Sequence, residues 1–352
     1  MDLDRYGRLL EQELLGNILP FHAQFCVDRV RGGFFGRVEN DQTPHPDAPK
    51  GLVQHGRLLW SFAHAYRVYG DPAYLVLAER AYDFLLAHFL DRRDGGLFWQ
   101  VDAAGAPLER RKMVYGQAFA IYGFAEYALA AGETCSLETA VALYTLLEEK
   151  VRDPAHGGYF DAFDRAWHLT PEINIDQAPG PVTKTMNTHL HLLEAYSNPY
   201  RAWPDDGPRR SLRNLIELHL ARIIGESCGR LGLHFDAQWR PLNDQVSPGH
   251  DIEASWLLVE AAQLLDDPEL LQKVVPAALH LAQATLAAGL GPQGEVLDED
   301  PAQAAVWWMQ AEAMVGFLNA YELSGEERYL EASQRCWSFT QDNLIDSRYG
   351  EW

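Results

Sequence analysis

A short glycine-rich turn that recurs along the chain limits the possible folds more than any other feature of the sequence. Its six copies, three clear and three weaker, lie at residues 31–35, 95–99, 157–160, 230–235, 291–296 and 349–352. The copies are about sixty residues apart, which is enough for two helices and two loops, so they mark an internal repeat. Glycine provides the positive φ of a tight turn, and the flanking aromatic residues suit short extended segments.

The segments between the turns have the spacing of helices. Apolar residues recur at intervals of three and four, and the N-terminus adds an amphipathic, charged helix. Pro72 and Pro268 each follow an aspartate and are placed to open a helix. The predicted helices are Leu52–Tyr69, Pro72–Leu90, Met113–Ala131, Leu137–Val151, Thr183–Ser197, Ser211–Gly225, His250–Leu265, Pro268–Ala288, Ala302–Leu323 and Glu326–Leu344.

Six turns, each preceded by one helix and followed by another, predict an all-α fold. Six helical hairpins that close in a ring form an (α/α)6 barrel, with six inner and six outer helices. We expect one domain over residues 1–352, in which the loop at 171–181 explains the one longer interval between turns. Because the sixth turn ends at Trp352, we count eleven long helices and expect the last inner helix to be missing from this chain.

The charge balance excludes several kinds of partner. The chain has 29 lysine and arginine residues against 50 aspartate and glutamate residues, a formal net charge of −21. Such a surface is repelled by nucleic acid and by anionic membranes. No apolar run approaches the roughly 18 residues of a membrane span, and the N-terminus is not a signal peptide. Four scattered cysteines, Cys26, Cys135, Cys228 and Cys336, indicate reduced thiols in a cytoplasmic protein.

Residues 247–256 predict a helix start that carries a proton-transfer pair. Ser247 is placed to cap the helix and Pro248 to begin it, which puts His250 in the first turn. The positive end of the helix disfavours imidazolium there, so His250 is available as a neutral base. Glu253 lies three residues further on the same face and is predicted to hold the ring. The alternative is a capping region with a surface pair.

Three other helices carry candidate site residues. Arg57 is predicted to be buried in an apolar helix, where a sugar oxygen or an internal salt bridge is an equally good partner. Asn187 and His191 share a helix face, and we expect one of His189 and His191 to face a cavity while the other packs. Trp308 opens a further helix and offers a flat surface for a sugar ring, although core packing explains it equally well.

No motif for a metal or a nucleotide cofactor is present in the sequence. His250 and Glu253 supply only two ligands, and neither HExxH nor a cysteine cluster completes a set. GxxxxGK[ST] and GxGxxG after a strand are also absent. We therefore predict no metal and no cofactor.

Four segments, at residues 32–51, 187–204, 249–262 and 307–321, resemble the cellobiose 2-epimerases of the N-acylglucosamine 2-epimerase superfamily. The resemblance runs over essentially the whole chain. It implies the (α/α)6 barrel and an isomerase that converts the reducing-end glucose of β-1,4-linked disaccharides, cellobiose or lactose, to mannose. It also implies a cis-enediolate intermediate and two histidines on opposite faces of C2, with no cofactor.

The resemblance also assigns roles to individual residues. It implies that His250 is one catalytic histidine and that Glu253 supports it. It places five residues around the substrate: Arg57, Tyr115, Asn187, His191 and Trp308. The second catalytic histidine lies on the last inner helix in that family, and no histidine follows His280 here. We therefore expect the second base to be absent and these 352 residues to be inactive, or nearly so, as an epimerase.

Several alternatives stay open at this point. Within the superfamily, the chain could be an N-acylglucosamine 2-epimerase or an aldose–ketose isomerase. A glycoside hydrolase on the same barrel would need two carboxylates that flank the scissile bond, and Glu253 and Glu312 are the candidates. A non-catalytic carbohydrate-binding protein is the third class. The expected partner is a small-molecule disaccharide, and the protein is a monomer or a homodimer.

Overall fold

The computed structural model describes residues 1–171, 174–178, 180–225, 229–297 and 305–352. Cys228 and parts of the predicted loop at 171–181 lie outside the described residues. Helices make up most of the structure, as the sequence predicts. The α-helices are α1 Leu3–Glu13, α2 Leu19–Phe25, α3 Leu52–Tyr69, α4 Pro72–Phe84, α5 Val114–Ala131, α6 Thr134–Lys150, α7 Met186–Ala202, α8 Asp206–Leu218, α9 Pro248–Leu264, α10 Pro268–Ala284, α11 Trp307–Ser324 and α12 Glu327–Asn343.

Several helices include one turn of π-helix, and short strands lie beside the turns. One π-turn joins α1 to α2, so the N-terminal helix is continuous, and the others follow α4, α8 and α10. The π-turns are Leu14–Ile18, Leu85–Phe89, His219–Ile223 and Thr285–Gly289. The strands are β1 Lys50–Gly51, β2 Gln100–Val101, β3 Pro107–Glu109, β4 Lys112–Met113, β5 Ala162–Phe163, β6 Lys184–Thr185 and β7 His234–Phe235. They form the antiparallel sheets β1-β2-β3, β4-β5 and β6-β7.

The predicted helices are present, with shifted ends. Helix α8 begins at Asp206 and not at Ser211, because its polar first turn carries no apolar periodicity, and α7 ends at Ala202 and not at Ser197. The predicted start of a helix at Ala302 lies outside the described residues. The N-terminal helix continues to Phe25. The described residues contain eleven long helices when α1 and α2 count as one. Whether a further inner helix belongs to the fold stays a prediction.

The described residues cluster into two compact units. The larger unit comprises His22–Leu215 and His234–Leu242, and the smaller unit comprises Met1–Phe21, Ile216–Leu233 and Asn243–Trp352. In the larger unit, α3, α5 and α7 pack side by side, while α4 and α6 form hairpins with α3 and α5. In the smaller unit, α9 packs against α10 and α11, and α11 forms a hairpin with α12. That the whole chain is one domain stays a prediction.

Five of the turns are each fastened to the fourth residue of the inner helix that follows them. At α3, the Nε2 atom of His55 accepts the Phe34 N–H at 3.2 Å, and at α5 the amide oxygen of Gln117 accepts the Leu97 N–H at 2.8 Å. The same bond recurs in three further repeats: His189 accepts the Tyr159 N–H, Asp251 the Leu231 N–H and Gln310 the Val296 N–H. The shared bond fixes one register for α3, α5, α7, α9 and α11.

Three buried ion pairs join the turns of the larger unit to the starts of the inner helices. In each pair, the lysine lies two residues before the start of an inner helix. The aspartate lies four residues before the first glycine of a turn. The sequence analysis missed this spacing. The pairs are Lys50–Asp28 at 2.9 Å, Lys112–Asp91 at 3.0 Å and Lys184–Asp153 at 2.7 Å. All three lysine residues are fully buried, so each charge depends on its partner.

Candidate functional site

The inner helices present a second set of side chains in the common register. Because successive residues are about 100° apart around a helix, the sixth residue points roughly opposite to the fourth, which holds the turn. The sixth residues are Arg57, Phe119 and His191 in the larger unit and Glu253 and Glu312 in the smaller unit. Three of these five are predicted site residues.

In the larger unit, Arg57 lies on an aromatic surface. Its guanidinium carbon is 4.0 Å from the centre of the Phe119 ring, and its Nη2 is 3.5 Å from the Tyr115 hydroxyl. The prediction that Arg57 is buried is wrong, since its side chain is exposed. The apolar pattern of α3 comes from the other faces of the helix. A stacked guanidinium keeps its N–H donors in the plane of the group, where they can bind an oxyanion.

His191 is held as a His–carboxylate pair. Its Nδ1 is 2.8 Å from Glu194 Oε2, and its ring contacts Tyr115 and Phe119 with centroids 5.0 and 4.9 Å away. Burial lowers the pKa of His191, and Glu194 only partly offsets this. Burial opposes ionisation of Glu194, but the hydrogen bond from His191 keeps the pKa of that carboxyl below its ordinary value. A neutral ring that donates through Nδ1 presents an accepting Nε2, so Arg57 is the better oxyanion donor of the two.

Asn187 belongs to a hydrogen-bonded cluster that the sequence analysis did not find. Its amide nitrogen donates to Asp176 Oδ1 at 2.9 Å, and His234 Nε2 lies 3.2 Å from Asp176 Oδ2. The buried Oδ1 of Asn187 accepts no hydrogen bond from the described residues, which leaves it able to accept one from a hydroxyl. Asp176 lies in a loop and His234 in a two-residue strand, where no helical periodicity could identify them.

His189 packs, as expected for one of the two histidines on α7. Its Nδ1 donates to the Thr185 carbonyl at 2.7 Å, and its Nε2 accepts the Tyr159 N–H. Both ring nitrogens therefore serve the backbone, and His189 fastens a turn in the way that His55 does.

In the smaller unit, His250 lies in the first turn of α9, as predicted. Ser247 caps the helix by accepting the His250 N–H, and Pro248 is its first residue. The Nδ1 of His250 is 2.8 Å from the Ser247 hydroxyl oxygen, and its ring centroid is 4.8 Å from that of Trp308. Glu253 is buried with 5% of its surface exposed. Its support of the His250 ring stays a prediction, while the contact with Ser247 is a feature that the sequence analysis missed.

Glu312 is engaged by a neighbouring helix. Its Oε2 accepts the indole N–H of Trp256 at 2.9 Å. A carboxylate that accepts this bond is better suited to hold Trp256 than to protonate a leaving group, which weakens the hydrolase alternative.

Two negative findings apply to the described part of the chain. No three side chains among its His, Cys, Asp and Glu residues are arranged to hold a metal ion. None of its helices combines the length and the apolar character that a bilayer crossing requires.

Comparison with known proteins shows which family the chain matches and how similar its relatives are. Residues 33–352 match the profile of the N-acylglucosamine 2-epimerase (GlcNAc 2-epimerase) family. The cellobiose 2-epimerase of Bacteroides fragilis is 36% identical over 348 residues, covering 97% of this chain and 89% of the relative. The N-acylglucosamine 2-epimerase of Rattus norvegicus is 24% identical, covering 96% of this chain and 81% of the relative.

A solved structure matches the fold in detail. The cellobiose 2-epimerase of Bacillus thermoamylovorans superposes with a TM-score of 0.94 at 36% identity, covering 99% of this chain and 91% of that chain. The (α/α)6-barrel class predicted from the repeated turn is thereby confirmed.

Proposed function

The chain belongs to the N-acylglucosamine 2-epimerase family and is an isomerase, and we propose that it epimerises the reducing-end glucose of β-1,4-linked disaccharides, cellobiose or lactose, at C2. The observation that carries this substrate class is the identity of 36% to a cellobiose 2-epimerase against 24% to an N-acylglucosamine 2-epimerase. The alternative within the family is an N-acylglucosamine or aldose–ketose substrate.

The chemistry of the reaction defines what the site residues must do. The C2 proton is acidic only beside a carbonyl group, so the sugar ring must open before a base removes that proton. The product of this step is a cis-enediolate, and inversion follows when a second acid, distinct from the base that removed the first proton, delivers a proton to the opposite face. No electron is transferred in these steps, so they need no redox cofactor.

In the smaller unit, we assign the proton transfer to His250. Its ring lies at the positive end of α9, where the neutral base form is favoured. The tilted contact with Trp308 supports a role for that indole as a surface for the sugar ring. Glu253, buried one turn further along α9, is assigned the support of the charged form of the ring.

In the larger unit, we assign stabilisation of the enediolate oxygens to Arg57, whose guanidinium is stacked on Phe119 and lies near the Tyr115 hydroxyl. The Oδ1 of Asn187 and the accepting Nε2 of His191 are assigned to sugar hydroxyl groups. These assignments follow from the donors and acceptors that each group presents.

The test is product analysis after incubation with cellobiose and, in parallel, with N-acetylglucosamine. Glucosyl-mannose from cellobiose, with solvent deuterium at C2 when the reaction runs in D2O, would support the proposal. Release of free glucose would identify a hydrolase, and turnover of N-acetylglucosamine alone would move the substrate class to the alternative. His250→Asn should abolish the exchange at C2, and normal turnover by this variant would refute its assignment.

We also propose a cytoplasmic enzyme that is a monomer or a homodimer. The cysteines of the described residues support a reducing compartment, since Cys26, Cys135 and Cys336 form no disulfide. Mass measurement in solution distinguishes the two oligomeric states.

A further inference from the structure

Ser247 makes two kinds of contact at the start of α9. Its hydroxyl oxygen accepts the His250 N–H as the helix cap, and the same oxygen lies 2.8 Å from the Nδ1 atom of the His250 ring. Its carbonyl accepts the Asp251 N–H at 2.9 Å, and only 7% of the residue is exposed. The hydroxyl is therefore held in place by the helix that carries the histidine.

The other side of the imidazole is also confined. The Trp308 ring lies 4.8 Å away at 55°, and Gly249 makes this approach possible. A Cβ atom at Gly249 would lie 2.9 Å from the Trp308 ring and 2.5 Å from Met309, so any larger residue would displace them. The described contacts of the ring thus include a polar partner at Nδ1 and an aromatic neighbour.

We propose that Ser247 is a positioning residue that fixes the orientation and the proton arrangement of the His250 ring for catalysis. A hydroxyl can accept the Nδ1–H bond both when the ring is neutral and when it is charged. Nδ1 then keeps its proton throughout, and Nε2 alone gains and loses the proton exchanged with C2. This inference rests on the catalytic role proposed for His250.

The neutrality of the hydroxyl matters as much as its position. A carboxylate at this point would stabilise the imidazolium by its charge and raise the pKa of the ring, whereas a hydroxyl orients it without adding charge. The acidic groups on α9 and α11 are Glu253, Glu260, Glu312, Glu322 and Asp251. Asp251 Oδ2 forms an ion pair with Arg230 Nε at 2.6 Å, and Glu312 accepts the Trp256 indole N–H. Both carboxylates therefore bind a group other than the His250 ring.

Variants of Ser247 separate the cap from the ring contact. Glycine is nearly as good a helix cap as serine, whereas alanine is a poor one, and both lack the hydroxyl. If the ring contact matters, Ser247→Gly and Ser247→Ala should both lower kcat about tenfold, the worth of one hydrogen bond, with little change in KM. Ser247→Thr keeps the hydroxyl and should restore most of kcat.

A charged partner provides a readout that a structural role would not affect. Ser247→Asp keeps a good cap and places a carboxylate beside Nδ1, so the acidic limb of the profile of kcat/KM against pH should move up by about one unit. Asp71→Ala is the matched control, because Asp71 caps α4 by accepting the Ala73 N–H. It should lower thermal stability as Ser247→Ala does and leave kcat unchanged.

The outcomes distinguish this inference from the proposed function. Wild-type kcat and an unchanged pH profile in Ser247→Gly and Ser247→Asp would overturn the role of Ser247, even if His250→Asn is inactive. Losses of kcat that follow thermal stability across Ser247→Gly, Ser247→Ala and Asp71→Ala would overturn it as well. Normal epimerisation by His250→Asn would instead refute the proposed role of His250 itself.

Discussion

Replacing His55 with glutamine should make the protein less sensitive to acid. His55 is fully buried, and its ring nitrogens bond the Gly51 carbonyl and the Phe34 N–H. Burial lowers its pKa from 6.5 to about 4. Because the folded-state pKa lies below the unfolded value, the unfolded chain binds the proton more tightly. Stability is therefore lost as the pH falls from about 6.5 towards about 4.

The size of the effect follows from these two values. At pH 5 the unfolded imidazole is almost fully protonated and the folded one is almost neutral, so His55 lowers the free energy of unfolding by roughly 2 kcal/mol relative to neutral pH. Glutamine has no such titration, and Gln117 already fastens a turn at the equivalent position of α5. His55→Gln should therefore lose roughly 2 kcal/mol less than the wild type between pH 7.5 and pH 5.

The measurement is urea unfolding of both proteins at the two pH values. The change in the free energy of unfolding between the two pH values is compared, and not its absolute value. Loss of the ring packing with Phe84 and Phe89 lowers stability at every pH. Gln117→His is the reciprocal control and should increase acid sensitivity. An identical pH dependence for His55→Gln and the wild type would refute the argument.

Three further predictions concern charge and catalysis. Lys184→Met leaves Asp153 and the carbonyls of Gly157 and Ala237 without their buried donor, so the free energy of unfolding should fall by about 3–5 kcal/mol. Lys150→Met is the control, because Lys150 is exposed and its loss should leave the free energy of unfolding nearly unchanged. Equal losses of unfolding free energy for the two variants in urea would contradict this reasoning. Arg57→Lys keeps the charge but loses the planar donors stacked on Phe119, so kcat should fall by about 10²–10³ with an unchanged melting temperature. A kcat within twofold of the wild type would exclude Arg57 as the oxyanion donor. Glu253→Ala should lower kcat more than it raises KM, because it acts on the charged state of the ring. A change in KM alone would argue for ground-state binding instead.

The repeated turn and the helical periodicity predicted the architecture because both are local properties of the chain. The same is true of the cap at Ser247 and the helix start at Pro248, which depend on adjacent residues. The prediction that Arg57 is buried was wrong because periodicity shows how apolar a helix is on average. It does not show which single side chain is left exposed to solvent. Asp176 reaches Asn187 from a loop, and no spacing along the chain encodes that contact.

The buried ion pairs are an intermediate case. The aspartates and lysines recur at fixed distances from the turns and the helix starts, so the signal was present in the sequence. It was missed because a lysine outside a helix is ordinarily exposed, whereas Lys112 and Lys184 lie buried in the short strands β4 and β6.

The common register of the inner helices separates what a residue contributes to folding from what it contributes to chemistry. The fourth position holds a turn in five repeats, although it is occupied by His, Gln or Asp. The sixth position bears a guanidinium, a phenyl ring, an imidazole or a carboxylate, depending on the helix. Mutations at the sixth positions can therefore accumulate without loosening the turns. A substitution at a sixth position is expected to change the chemistry of the site while the turn of that repeat stays fastened.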